Sequence, residues 1–213
     1  MAMQPFEYFL PEVATEVMGC PQPLIIHTLR SAAIDLCRRS LAWVYQVPVF
    51  TTTEDLAEYD ITLPTGVELV MPSRVFINGV PIDPVSVDNE DDVGAPVEDL
   101  GSGTVTRYAI NGDSQLVLLP APANDTDEVI VRACVCPTRD ATEMDAVLAS
   151  AYYIEIASGA IAQLCASENK PYSNAATASY RAAKFEAGVI AAANRKLKGA
   201  TQKSLSMRPR AFV

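Results

Sequence analysis

Few side chains in this sequence are equipped for chemistry. There is one histidine, His27, and there are five cysteines, Cys20, Cys37, Cys134, Cys136 and Cys165. A Ser-His-Asp or Cys-His relay has to run through His27. His27 stands inside an apolar helical run beside Leu24 and Ile26, and no nucleophile-elbow or Cys-Gly-type signature accompanies it. It reads as a packed or surface imidazole. A zinc site needs four nitrogen or sulfur ligands. Cys134 and Cys136 share one face of a strand, Cys20 precedes a helix, and C-x-x-C is absent. The five thiols read as buried and reduced, which fits a protein made in a reducing compartment.

Carboxylates are the other candidates. In "DNEDDVGAPVED", Asp88, Glu90 and Asp92 take the first, third and fifth places of a calcium loop, and Asp99 takes the twelfth. The sixth place, where the loop turns on glycine, is Val93, and Gly94 comes one residue late. Asp88, Glu90, Asp91 and Asp92 therefore read as a solvated acidic loop or as a charged patch offered to a partner or to a lumen. With no Walker A lysine and no G-x-G-x-x-G, the sequence predicts neither cofactor nor metal, and not an enzyme.

The elements that carry these residues come in the order helices, strands, helices. "FLPEVATEVMGCP" predicts a short helix over about Leu10–Met18, with Pro11 in its first turn and Gly19 at its exit. A second helix follows, with Ile25, Leu29, Ala32, Ile34, Leu36 and Cys37 at apolar spacing, and Arg38 and Arg39 in the last turn. From Trp43 the residues turn aromatic and β-branched. Six or seven short strands, antiparallel, are expected between about 44 and 137, with hairpins at Asn78-Gly79 and Asn111-Gly112. Ser86–Gly103 is a Gly-rich acidic interruption, and Pro120–Asp125 a turn. Two long helices close the chain, about Asp145–Ser167 and Asn174–Lys198, broken apart at Lys170-Pro171, with Gly199 as a stop. Both are rich in Ala, Ser and Gly, which permit close approach but bury little area each, so they need partners on more than one side. Val147–Ala166 is long enough to span a bilayer, yet Glu155 and Gln163 interrupt it, and it reads as a helix buried on several sides.

The expected fold class is therefore α+β. Two N-terminal and two long C-terminal helices form a bundle (1–43 and 138–200), an inserted small antiparallel β-sandwich or barrel occupies 44–137, and 201–213 is an extended tail.

Charge sharpens the picture. The chain of 213 residues has a formal net charge of -10. Residues 1–140 hold 21 acidic side chains against 7 basic, all arginine, whereas 170–213 hold 9 basic side chains and a single acid, Glu186. Such a protein is a poor candidate for wrapping DNA, but its basic end suits an acidic partner or the acidic part of another copy. The tail combines Arg208 and Arg210 with Pro209, which favours an extended form. Phe212, with Val213 beside it at the tip, supplies an apolar anchor. The tail is either a frayed end or a docking peg.

The stretch "FLPEVATEVMGCPQPLIIHTLRSAAIDLCRRSLAWVYQ", the stretch "CPTRDATEMDAVLASAYYIEIASGAIAQLCASENKPYSN" and the closing "RPRAFV" resemble the neck proteins of tailed bacteriophages, the head-to-tail connector or adaptor proteins. The resemblance covers most of the chain, with the acidic loop its least typical part. It implies a helical bundle with a β insertion, and a homo-oligomeric twelve-fold ring beneath the portal protein. That ring continues the channel for genomic DNA without sequence-specific binding and without a membrane. It also implies a platform for a downstream neck or tail protein, a C-terminal segment that reaches the portal, and a place in the virion neck after synthesis in the host bacterial cytoplasm. The docking tail then corresponds to Leu205, Met207, Arg208, Pro209, Arg210, Phe212 and Val213. The Ala-rich helices would meet neighbouring subunits through Tyr152, Ile156, Ala160, Tyr180 and Phe185. Two other readings compete. One is a protein- or glycan-binding module that uses Tyr45, Tyr59 and Tyr108 of the β insertion; the other is a hydrolase with a metal held by the acidic loop.

Overall fold

The computed structural model describes residues 2–85, 101–111 and 114–198. The acidic loop and the tail beyond Lys198 lie outside the described residues. The chain divides into two compact units, with boundaries at Ala42/Trp43 and Thr138/Arg139. Among the described residues it is a mixed α+β fold of five helices and a curled sheet.

The helical unit opens with β1 (Met3–Pro5), a 3-10 turn (Phe6–Phe9) and α1 (Leu10–Ala14). The single helix expected over Leu10–Met18 is shorter than that. Backbone bonds tighten at its end, with the Glu16 amide donating to Val13 at 3.1 Å and the Thr15 hydroxyl donating to the Glu12 carbonyl at 3.1 Å. Side-chain competition of this kind ends helices. Gly19 then turns the chain at φ 81°, a backbone region that glycine enters at no steric cost. α2 (Gln22–Ser40) follows, and ends where Leu41 adopts a left-handed conformation. After the β unit, β12 (Glu143–Asp145) pairs antiparallel with β1. Asp145 then caps α3 (Ala146–Ala151) by accepting from the Leu148 amide at 2.9 Å.

The helix expected from Asp145 to Ser167 is two helices. Tyr152 leaves helical geometry at φ -123°, ψ 28°, and α4 (Tyr153–Cys165) starts anew. At this break Tyr153 stacks on Phe9 at 5.3 Å and meets Tyr8 edge-on at 5.1 Å, joining the aromatic N-terminal segment to α4. α5 (Ala175–Lys198) begins at Asn174, whose side chain accepts from the Thr177 amide at 3.1 Å. α2, α4 and α5 pack on one another around Gly159. A methyl placed there would lie 2.8 Å from the Phe185 ring and 3.0 Å from the Ala32 methyl, so only glycine permits this approach.

The β unit is one sheet of eight strands plus a two-stranded ladder, among the described residues. Its centre is β5 (Val67–Ile77) against β11 (Glu128–Pro137), antiparallel along nearly their whole length. β2 (Val44–Gln46) and β3 (Phe50–Thr51) flank β11 on its other side. β6 (Val80–Pro84) returns from β5 through Asn78-Gly79, both residues at positive φ (49° and 79°), as a tight hairpin turn of the right hand requires. β8 (Arg107–Ile110) and β9 (Leu116–Leu119) form the second expected hairpin, and β4 (Glu58–Tyr59) edges β9. The insertion is not wholly antiparallel: β6 pairs parallel with β8, and β7 (Ser102–Gly103) parallel with β10 (Ala121–Pro122). Those strands are joined through long connections and not hairpins, which permits parallel pairing. β11 is buried on both faces over its second half, which explains why Cys134 and Cys136 sit inside beside Val135.

Candidate functional site

Among the described residues, the side chains singled out for chemistry stand apart from one another. His27 is exposed on α2. Cys37, Cys134, Cys136 and Cys165 are buried thiols, and Cys20 is half-buried. Burial and the nearby Glu16 charge push the Cys165 thiol above its ordinary range, which makes it a poor nucleophile. Among the described residues no three His, Cys, Asp or Glu side chains gather as a metal site. Nor is any described helix long and apolar enough to cross a membrane. Of the three tyrosines considered for a groove, Tyr108 is buried, Tyr45 is half-buried, and Tyr59 packs on Phe50 at 5.3 Å with its hydroxyl bonded to the Thr53 backbone.

What the molecule offers instead is surface. Charge divides between the units: residues 43–138 hold 16 acidic and 3 basic side chains, a net of -13, while 1–42 with 139–213 hold 10 acidic and 13 basic, a net of +3. Within the helical unit, one face of α2 makes a groove. His27, Ser31, Ile34 and Arg38 run along it at helical spacing, with Arg30 and Asp35 beside them and Arg139 opposite. Arg30 is fixed in place, because its Nη1 donates to the Arg139 carbonyl at 2.6 Å and its guanidinium lies 5.9 Å from the Phe6 ring centroid. Its Nε is buried without a hydrogen-bond partner. Asp35, the groove's carboxylate, is engaged by Arg39 at 3.1 Å, and Arg39 also makes a two-pronged pair with Glu186 of α5.

α5 has two faces. Arg181, Phe185, Val189 and Ala192 point into the unit. Arg181 donates from Nε to Glu16 at 3.1 Å, pairs with the second Glu16 oxygen through Nη2, reaches Ser158 at 3.3 Å and stands 3.8 Å from Glu12. It thereby ties α5 to α4 and to the N-terminal segment. Among the described residues the opposite face is exposed. Ala176, Tyr180, Ala183, Ala187, Ile190, Asn194 and Leu197 fall at alternating spacings of four and three, and all are exposed. Tyr180, Ile190 and Leu197 show 65%, 60% and 69% of their surface. That is the pattern of a helix–helix seam.

A protein-family model, SU10 adaptor protein, matches residues 11–210. The chain belongs to the SU10 adaptor protein family. As an SU10 adaptor it is a structural adaptor protein of a bacteriophage. No curated protein matches the chain.

The expected interface residues of this adaptor separate into three groups. Ile156, Ala160 and Phe185 pack inside the helical unit, Tyr152 is half-buried at the α3/α4 break, and Tyr180 lies on the exposed stripe. The tail residues Leu205, Met207, Arg208, Pro209, Arg210, Phe212 and Val213 fall outside the described residues, as do Asp88, Glu90, Asp91 and Asp92. Sequence reasoning missed Arg181 and the α2 groove. Arg181 was findable: it is four residues before Phe185 and eight before Val189, on the buried face by period. The groove was not, since Arg139 meets Arg30 across 109 residues of chain.

Proposed function

We propose that this adaptor is a non-enzymatic structural protein of the virion neck, forming a twelve-fold ring beneath the portal. The ring continues the DNA channel without sequence-specific contact and offers a platform to the next neck or tail protein. The observation that carries this reading is membership of an adaptor family over nearly the whole chain. Two features support it. The stripe Tyr180–Ile190–Leu197 leaves one side of α5 for a neighbouring subunit, with Tyr152 at the helix break as a further contact. The excess of acidic side chains suits a channel wall along which DNA slides, because binding to DNA depends on neutralising phosphates. The basic tail, Leu205 to Val213, docks to the portal, and the acidic loop (Asp88, Glu90, Asp91, Asp92) faces a partner or the lumen. The bundle acts as the ring-forming domain and the β insertion as a separate domain carried by it.

Light scattering with negative-stain imaging of the purified chain, alone and with portal, tests the ring. Rings in either sample support it, whereas a chain that stays monomeric with portal overturns it. Deleting Leu205–Val213 is expected to leave unfolding unchanged and to prevent stable attachment to filled heads. Normal attachment of the truncated chain would refute the peg.

A further inference from the structure

We infer that Arg74 and Arg132, on the exposed face of the β unit, seat in the acidic cleft of Asp55 and Glu58 on a second copy of this chain. The inference rests on the ring reading and names a contact that would build it.

Two of the three basic side chains among residues 43–138 stand directly opposite each other. Arg132 of β11 is in register with Arg74 of β5, and both are exposed. Like charges so placed across a ladder repel. Among the described residues neither guanidinium has a carboxylate partner, and the acid on the next strand, Asp83, is in register with Arg107. The Arg132 guanidinium lies 5.6 Å from the Phe76 ring centroid, a contact that holds it without cancelling its charge. Gln46 of β2 faces Arg132 on the other side, and the half-buried Ile130 and Phe76 face each other one row along. The surface is therefore two guanidiniums beside an apolar row. Arginine with an aromatic ring is the composition of an interface core, and a carboxylate is the group that arginine grips with two parallel bonds.

The same unit carries the complement. A cleft of about 530 Å³ is lined by Asp55, Leu56 and Glu58 together with Gly101 and Ser102. Asp55 and Glu58 are exposed, and Leu56 between them shows 45% of its surface. Neither carboxylate has a cationic partner among the described residues. The backbone here is pinned: the Asp55 amide donates to the Pro122 carbonyl at 2.9 Å, and the Leu118 amide to the Ala57 carbonyl at 2.8 Å. Little chain freedom is then lost when a cation arrives. The arginines stand on β5 and β11, whereas the carboxylates stand on β4 and the turn before it, so one copy can offer the first patch while it receives at the second. A contact between unlike patches of successive copies is heterologous and propagates around a ring. Charge favours a second copy as the occupant, because each β unit has a net charge of -13. Duplex DNA is the lesser candidate: two arginines neutralise few phosphates, and 16 acidic side chains travel with them.

Self-association of the full chain, measured by sedimentation over a salt series, tests the pairing. The wild-type chain is expected to associate, and to associate less as salt screens the contact. Arg74→Glu and Arg132→Glu should each weaken association by about tenfold or more. Their unfolding midpoints should hold or rise, because each change turns a like-charge pair across the ladder into an opposite one. Glu58→Arg should weaken association in the same way, and should restore it when combined with Arg132→Glu. Charge reversals that leave association at the wild-type level would overturn the pairing while leaving the ring standing. So would a loss in the arginine variants that Glu58→Arg neither reproduces nor rescues. A chain monomeric at low salt, alone and with portal, would overturn both. Loss of duplex DNA binding in the arginine variants, with association unchanged, would overturn the pairing and reassign the arginines to phosphate.

Discussion

Replacing Arg181 with methionine should be among the most damaging single changes to the helical unit. The Arg181 side chain is 11% exposed, and it faces Glu12 and Glu16, which are 32% and 31% exposed. Removing one partner of a fully buried ion pair costs about 3–5 kcal/mol, because the other charge is left without compensation. An exposed pair contributes about 1 kcal/mol or less. Here the cation is buried and the two carboxylates are one-third open to water, so they recover part of their hydration. The expected cost lies between those limits, at about 2–3 kcal/mol. Methionine keeps the apolar stem that packs against α4, so the loss reports charge and hydrogen bonds and not volume. For a chain of this size about 1 kcal/mol moves the melting temperature by about 2–4 °C, which predicts a fall of roughly 4–12 °C in a far-ultraviolet circular dichroism melt at neutral pH. Arg181→Lys should fall between wild type and methionine, since a point charge cannot reproduce the two-pronged pair with Glu16. In a double-mutant cycle with Glu16→Gln, the coupling should be about 1–3 kcal/mol. A methionine variant melting within about 1 °C of wild type would refute the reasoning and place Arg181 with ordinary surface pairs.

Further outcomes follow from the same packing. Gly159→Leu forces a side chain between the Phe185 ring and Ala32, and should destabilise by about 1–3 kcal/mol or more, read as a lower denaturant midpoint; an unchanged midpoint would show that α2, α4 and α5 separate freely. The Arg39 hydrogen bonds hold the Glu186 carboxyl below its ordinary value of 4.5. A carboxyl depressed in the folded state stabilises it above the unfolded value, and that stability is lost as pH falls through the folded value. Both side chains are about half exposed, so Glu186→Gln should cost about 0.5 kcal/mol or less at neutral pH and nothing well below pH 4.5. A penalty that persists in acid would assign the effect to packing.

Periodicity and turn chemistry made particular parts of this chain legible. Helix α5 was readable because its Asn174 start and its Lys198 end are local signals, and the hairpin at Asn78-Gly79 because both residues tolerate positive φ. Pairings between distant segments were not. Met3–Pro5 shows no alternation, and only its partner Glu143–Asp145 makes it a strand. The two-residue strands β3, β4, β7 and β10 are too short for a period of two to show. The break at Tyr152 was hidden because Leu148, Ala149 and Ala151 before it and Glu155 and Ala157 after it are good helix formers, and the structure resolves the segment with an aromatic stack on Phe9. Of the candidate interface residues, period puts Phe185 and Tyr180 on different faces of α5, so the two cannot both meet the same neighbour. They lie five apart on one Ala-rich helix, and Phe185 shares its spacing with Val189 and Ala192, which is the buried set.

That two-sided helix connects the fold to an adaptor's work. The inward face of α5 needs Gly159 of α4 to make room for the Phe185 ring, its own Gly188 to make room for the Glu155 side chain, and Arg181 so that the N-terminal segment is held down. Those demands are met by residues at one set of helical positions. The alternating positions are then free of any duty to the unit's own core, yet they keep Tyr180, Ile190 and Leu197 in water. Three large apolar side chains at seam spacing along a helix about 36 Å long are more than scattered exposure, which is normal on a soluble surface. A protein whose function is to be held between others has reason to carry such a stripe, because its stability as a folded unit and its attachment to neighbours are then set by different faces of the same helix. Substitutions on one face should change unfolding and leave assembly alone, and substitutions on the other should do the reverse.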